Sequence, residues 1–228
     1  MKTCAVIPVK SFDNAKQRLS ALLTDAERKA LSYAMLEDVL IAIEACPLVD
    51  QCLLVTKDAA AIEMAAQYQL GTLAEPEQPG LVAAVTHAAS TLAEAGTERL
   101  LFLPGDVPLV TAEELEVVLD GTFSGGAGLS MVPAADLGGT NCLLAAPPNL
   151  IPFQFGVDSF RKHLAAAHNV GVNPTVLKLP GLGLDIDTPS DLKALMGRLA
   201  FQGAGSHTYR YAISIDVIDR LQRITGEI

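Results

Sequence analysis

The sequence predicts an α/β protein with a mostly parallel central sheet and helices on both faces. Three observations carry this. Short apolar runs such as Cys4-Ala5-Val6-Ile7 and Leu100-Leu101-Phe102-Leu103 read as strands buried on both sides. They alternate with stretches of helical periodicity, the pattern that builds βαβ units. The chain has 228 residues, half of them apolar, and a globule of that size buries roughly 70% of its unfolded surface without help from disulfides or metals.

The elements follow in order. Thr3–Val9 reads as a buried strand. Thr24 and Glu27 form a capping box that opens a long helix, whose buried face takes Leu31, Ala34, Met35, Val39 and Ile43. Cys52–Thr56 is a second strand, Asp58–Tyr68 a helix and Thr72–Ala74 a short strand. After the turn-rich Glu75-Pro76-Glu77-Gln78-Pro79-Gly80 comes a helix over Leu81–Ala95. Leu100–Leu103 is a strand ending in Pro104-Gly105-Asp106. Thr111 and Glu114 form a second capping box. Leu129–Val132 and Asn141–Ala145 are strands around a polar loop, Val157–Ala167 a helix and Thr175–Leu179 a strand. Leu184–Ile186 is briefly extended. Thr188 then caps a helix with Pro189 in its first turn. Residues 1–202 form the main domain. Gly203-Ala204-Gly205-Ser206 reads as a linker into a tail, 203–228, where Ile215–Ile224 suits a short amphipathic helix and is a candidate homodimer contact.

Composition narrows the function. A net charge of −10 argues against a general nucleic-acid binder, which needs a basic face. The four cysteines form no Cys-x-x-Cys pair, so zinc is not suggested, and Cys4, Cys52 and Cys142 read as buried thiols. No apolar run approaches the ~20 residues of a membrane span, and a cytoplasmic location is expected. The histidines, His87, His163, His168 and His207, pair with no serine or cysteine at a catalytic spacing and read as structural or surface residues.

The carboxylates are the strongest local signal. Open parallel sheets gather ligands at the carboxyl ends of their strands, where Asp106 sits. Read alone, Asp106 fits a turn as well as a metal. Asp185 and Asp187 are spaced so that an extended backbone projects both to one side and sends Ile186 to the core. Two such charges ~4 Å apart repel by roughly 4 kcal/mol at an effective dielectric of 20. A divalent cation relieves that repulsion, and an incomplete oxygen shell suits Mg²⁺. A solvated turn remains the alternative. Asp191 is explained by its place in the first helical turn.

Cations and anion pockets accompany them. The loop after the first strand carries Lys10, Lys16 and Arg18 but no glycine, so it is neither a P-loop nor a dinucleotide fingerprint. Gly138-Gly139-Thr140-Asn141 offers backbone amides and a hydroxyl. Phe155-Gly156-Val157-Asp158-Ser159-Phe160 opens a helix, where free amides attract anions. Ser159 reads equally as an ordinary N-cap.

Together, Pro8-Val9-Lys10 with Ala15-Lys16-Gln17-Arg18-Leu19, Pro104-Gly105-Asp106, Gly138-Gly139-Thr140-Asn141, Phe155-Gly156 with Ser159-Phe160, and Asp185-Ile186-Asp187-Thr188-Pro189 resemble, in order and spacing, the 2-phospho-L-lactate and phosphoenolpyruvate guanylyltransferases of coenzyme F-420 biosynthesis. The resemblance covers about residues 3 to 195. It implies a single-domain nucleotidyltransferase fold of the glycosyltransferase-A type and transfer of GMP from GTP to a small phosphorylated carboxylic acid, with release of pyrophosphate. It implies Mg²⁺ held by Asp106, Asp185 and Asp187. Catalysis would rest on Asp106, Lys16 and Arg18. The phospho-acid would meet Thr140, Gly156 and Ser159. Pro8, Val9, Lys10, Lys16, Arg18, Gly80, Pro104 and Gly105 would line the nucleotide. Where the family usually carries Asn after Gly-Leu, this chain has Val82, which removes an amide from the nucleotide's surroundings. Two alternatives stand beside this reading: a same-fold transferase acting on a sugar phosphate or molybdopterin, and a non-catalytic nucleotide-binding regulator. The missing glycine-rich first loop argues against molybdopterin. The three carboxylates argue against a regulator.

Overall fold

The computed structural model describes residues 1–121, 126–202 and 205–225. Its strands are β1 (Thr3–Pro8), β2 (Gln51–Val55), β3 (Gly71–Leu73), β4 (Arg99–Phe102), β5 (Gly128–Pro133), β6 (Thr140–Ala146) and β7 (Thr175–Val176). Their order in the sheet is β3-β2-β1-β4-β6-β5-β7. Every pairing is parallel except those of β6, which runs against β4 and β5. The mostly parallel sheet is therefore as the sequence predicts.

The helices are α1 (Asp25–Ala45), α2 (Ala59–Gln67), α3 (Leu81–Glu94), α4 (Ala112–Leu119), α5 (Ser159–Asn169), α6 (Pro189–Gln202), α7 (His207–Ser214) and α8 (Val217–Thr225). Alternation along β1 shows why both sheet faces need cover. Ala5 and Ile7 pack with α1, α2 and α4 residues such as Leu36, Ala61 and Leu115. Cys4 and Val6 pack with α3 and α5 residues such as Val85 and Ala167. All four of these β1 side chains are fully buried. Large apolar side chains at such positions each stabilise the fold by about 1.5–3 kcal/mol, as an upper estimate. All four cysteines are free and buried.

A third core joins the last two helices to the rest. Leu31 and Met35 of α1, Ile186, Leu195 of α6, Ala212 of α7, and Val217 and Leu221 of α8 form one buried cluster. The boundary expected at residue 202 is thus no break in packing. Of the apolar face of α8 that suggested a dimer contact, Val217 and Leu221 are buried within the chain, whereas Ile218 and Ile224 stay exposed. The expected linker falls partly on residues 203 and 204, outside the described residues. No helix among the described residues is long and apolar enough to cross a membrane.

Three local expectations change. The helix expected from Val157 begins at Ser159, because Asp158 is left-handed at φ 59°, which no right-handed helix accepts. The capping box at Thr24 is complete. That at Thr111 is half made: Thr111 accepts from the Glu114 amide, but the Glu114 carboxylate accepts from the Gly181 and Leu182 amides instead. The strand expected over Thr175–Leu179 pairs regularly only at Thr175 and Val176.

Candidate active site

The carboxyl ends of β1 and β4 open onto a cleft. Cavities of about 320 and 240 Å³ share Pro8, Lys10, Gly105 and Asp106. Lys10 and Gly80 continue into a wider one of about 740 Å³, floored by the start of α3 and by Phe155 and Gly156. The predicted residues Pro8, Val9, Lys10, Lys16, Gly80, Pro104, Gly105, Asp106, Gly156 and Asp187 all line these spaces. A separate depression of about 440 Å³ lies between α1, β2 and the turn after α2, away from the carboxylates.

Two glycines shape the chain where it turns into the cleft. Gly80 precedes α3 at φ 133°, a conformation side chains rarely adopt, and leaves the first α3 amides without a side-chain cap. At Gly105 an added Cβ would stand 3.2 Å from Leu36 Cδ1, so the turn leading to Asp106 lies hard against α1.

Lys16 is placed by a strained loop. Its backbone is left-handed at φ 51°, which costs a non-glycine residue roughly 1–2 kcal/mol. Buried Leu19 anchors the loop on one side of Lys16, and buried Arg28 donates from Nε to the Ala15 carbonyl on the other. Lys16 Nζ then donates to Asp106 Oδ2 at 2.5 Å and to Asp187 Oδ1 at 2.8 Å. Burial pulls the ammonium's pKa down, but the two carboxylates outweigh it and the net direction is up. Arg18 lies exposed in the next turn and is not brought to the cleft.

Asp185 is held separately. Ile186 points fully into the core, as the alternation predicts, and its amide donates to the Asp106 carbonyl at 3.0 Å. That backbone bond ties the Asp185–Asp187 segment to the Asp106 turn. Asn141 of β6 donates from Nδ2 to Asp185 Oδ1 at 3.0 Å. Burial raises the Asp185 pKa; the Asn141 bond lowers it, and Asp106 and Asp187 raise it further. Asp191 Oδ2 accepts from the amides of Asp187 and Thr188 and from the Thr188 hydroxyl, so it fixes the end of this segment. Among the described residues no three His, Cys, Asp or Glu side chains converge into a ready-made cation cage. The donor set nevertheless suits a hard cation: it is oxygen only, it is incomplete, and its members already repel one another.

The second half of the site lies at the start of α5. Ser159 and Thr140 are both buried, with their hydroxyl oxygens 3.4 Å apart. The N-cap reading of Ser159 fails, since Asp158 occupies the cap position and Ser159 turns its hydroxyl to β6. Gly156, with open space where a Cβ would lie, exposes its backbone to the wide cavity. The Phe160 amide approaches the Gly138 carbonyl at 3.4 Å, which joins the two predicted anion pockets.

Sequence reasoning missed His163, Asn141 as a support, and the wider task of Asp191. His163 is fully buried and bonded to Thr140 at 3.0 Å. Its burial, with help from Lys162, pushes its pKa down to about 4. Its i, i+4 spacing from Ser159 was the one available signal.

Residues 3–224 match the family described as "Guanylyl transferase CofC like". The phosphoenolpyruvate guanylyltransferase of Conexibacter woesei is 36% identical over 209 residues, covering 91% of this chain and 94% of that protein. The 2-phospho-L-lactate guanylyltransferase of Methanothermobacter thermautotrophicus is 34% identical over 211 residues, covering 92% and 90%. The 3-phospho-D-glycerate guanylyltransferase of Colwellia psychrerythraea is 35% identical over 195 residues, covering 86% and 91%. Among solved structures, a chain from Desulfovibrio desulfuricans described as a nucleotide-diphospho-sugar transferase aligns with a TM-score of 0.78 at 18% identity, over 98% of each chain. A cytidylyltransferase from Leptospira borgpetersenii aligns at 0.61 and 12%, over 99% and 96%. These two show the nucleotidyltransferase fold. With the family match spanning nearly the whole sequence, the chain belongs to the CofC-like guanylyl transferase family.

Proposed function

We propose that this protein is a Mg²⁺-dependent guanylyltransferase. It moves GMP from GTP to the phosphate of a small phosphorylated carboxylic acid, as one step of coenzyme F-420 biosynthesis. The observation that carries the reading is the meeting of Asp106, Asp187, Lys10 and Lys16 in one cleft at one end of the sheet, with the Asp185 segment tied to the Asp106 turn by its backbone and the Thr140–Ser159 hydroxyl pair at the start of β6. The names of the relatives support the donor and the acceptor class, and phosphoenolpyruvate is the acceptor to test first.

An acceptor phosphate oxygen attacks the α-phosphorus of GTP in line. The new O–P bond forms as the bond to the β-phosphate bridging oxygen breaks, and pyrophosphate leaves. The acceptor phosphate is ionised at neutral pH, so no general base is needed and catalysis is positioning and charge neutralisation. Thr140, Ser159 and the Gly156 backbone hold the acid. Lys10 and Lys16 face the triphosphate and offset the charge on the departing pyrophosphate. Asp106, Asp185 and Asp187 would hold Mg²⁺, which supplies polarisation of the reacting phosphate. The wide cavity, lined by the apolar side chain of Val82, has room for the base.

The test mixes the protein with GTP, Mg²⁺ and each of phosphoenolpyruvate, 2-phospho-L-lactate and 3-phosphoglycerate. Pyrophosphate release is followed and the product is identified by mass. A guanylylated phospho-acid is expected. Absence of pyrophosphate with all three acids would remove the reading in favour of a nucleotide-binding regulator.

A further inference from the structure

The buried His163 ring touches three segments around the Thr140–Ser159 pair. Nδ1 lies 3.0 Å from Thr140 Oγ1 on β6. Nε2 accepts from the Gln154 amide at 2.9 Å, in the loop that leads to Gly156. The ring edge packs on Phe155 at 5.0 Å, and Ser159 lies one turn back on the same helix.

The tautomer follows from these contacts. A backbone N–H can only donate, so Nε2 must be unprotonated. A neutral imidazole then carries its proton on Nδ1 and donates it to Thr140. Protonating Nε2 would set two donors face to face, and the depressed pKa of the ring agrees with that exclusion.

The consequence lies in the hydroxyl pair. Thr140 and Ser159 hold two O–H protons, and one of them serves the bond between the two oxygens. Because Thr140 accepts from His163, it has no need to donate toward the ring. One O–H is therefore left to point outward, from Thr140 if Ser159 donates to it, or from Ser159 if the bond runs the other way. The opposite tautomer would consume a Thr140 proton on Nδ1 and remove one outward donor. An anionic acid needs donors at this place.

We propose that His163 is a positioning residue: by feeding Nδ1–H to Thr140 it sets the Thr140–Ser159 pair as a fixed donor to the phospho-acid acceptor. This rests on the proposed reaction.

Two substitutions separate the ring's two bonds. His163→Asn keeps a donor near the Nδ1 position and gives up the bond to Gln154. His163→Gln keeps an acceptor near the Nε2 position and gives up the donor to Thr140. Initial rates of pyrophosphate release are measured with each substrate varied in turn, beside thermal melts of both variants. We expect His163→Gln to raise KM for the acid by roughly 10- to 100-fold, the range for losing a hydrogen bond to a charged group, and to leave KM for GTP within about twofold. His163→Asn should keep KM for the acid within about threefold of the unsubstituted protein, even if it melts lower. A His163→Gln variant with unaltered acid KM, equal losses in the two variants, or a loss shared by GTP would each overturn the proposal. An unsubstituted protein inert toward every phospho-acid would overturn the reaction itself, a separate outcome read before either variant.

Discussion

Asn141 Nδ2 donates to Asp185 Oδ1 at 3.0 Å, so an amide on β6 fixes the aspartate of the Asp106, Asp185 and Asp187 set that Lys16 does not hold. An amide that donates to a carboxylate orients it and favours its charged form. Asn141→Ala should therefore raise the Mg²⁺ concentration needed for half-maximal turnover by roughly 10- to 100-fold, the usual effect of losing such a partner. The check is a Mg²⁺ titration of pyrophosphate release at saturating substrates. An unshifted titration would leave Asn141 a packing residue.

Lys16 poses a different question, because it already neutralises Asp106 and Asp187. Its side chain is 9% exposed, whereas that of Asp187 is 46% exposed. Lys16→Met should cost about 1–3 kcal/mol, less than a fully buried pair because water reaches Asp187. A loss of that size lowers Tm by roughly 2–4 °C per kcal/mol in a chain of this length. Turnover should fall by about 100-fold, as for removal of one donor to developing transition-state charge. Mg²⁺ should raise Tm more in Lys16→Met than in the unsubstituted protein, since two unneutralised carboxylates face it. Calorimetry with and without Mg²⁺ decides; an equal shift in both would mean that the ammonium and the cation do not share these ligands.

The fold was legible because its signals are local and repeated. Apolar runs identified β1, β2 and β4, and capping residues set the start of α1. The reversed direction of β6 was not legible, since nothing in Thr140–Ala146 encodes which way it runs beside β4. The i, i+2 spacing of Asp185 and Asp187 foretold the burial of Ile186, because alternation depends only on an extended backbone. It did not foretell Lys16 between Asp106 and Asp187, whose partners lie 90 and 171 residues away along the chain. His163 was read as structural for the same reason: its meaning comes from Thr140 and Gln154, on separate segments. Arg18, a cation beside Lys16 in sequence, turns outward because buried Leu19 fixes the facing of the short helical turn they share.

Ser159 offers a cleaner separation of the two substrates than any aspartate. Its hydroxyl touches Thr140 and caps no helix, so removing it should leave α5 intact. We expect Ser159→Ala to raise KM for the phospho-acid about tenfold and to leave KM for GTP within about twofold. Its Tm should stay within about 2 °C, corresponding to less than about 1 kcal/mol. Separate saturation curves for each substrate provide the check. Parallel loss of GTP affinity would put Ser159 outside the acid pocket.

The Glu27 carboxylate clasps the last helix through Arg220, and that predicts an acid-sensitive terminus. Glu27 completes the α1 capping box and also accepts from Arg220 of α8, through Oε1 at 2.8 Å and Oε2 at 3.0 Å. The Arg220 hydrogen bonds, more than the Thr24 ones, lower its pKa from an ordinary 4.5 to about 2. Between those values the unfolded chain binds a proton that the folded one refuses, so stability falls as pH falls. The contribution is therefore fully present above about pH 4.5 and is lost on the way to pH 2. Val217 and Leu221 sit beneath this clasp in the third core. Glu27→Gln should mimic the acid state at pH 7, costing about 1 kcal/mol for an ion pair still open to solvent. It should also speed proteolytic cleavage in α8 and flatten the dependence of Tm on pH between 4.5 and 2. If the variant kept the same acid slope as the unsubstituted protein, another carboxylate would be responsible, and Glu27 would serve α1 alone.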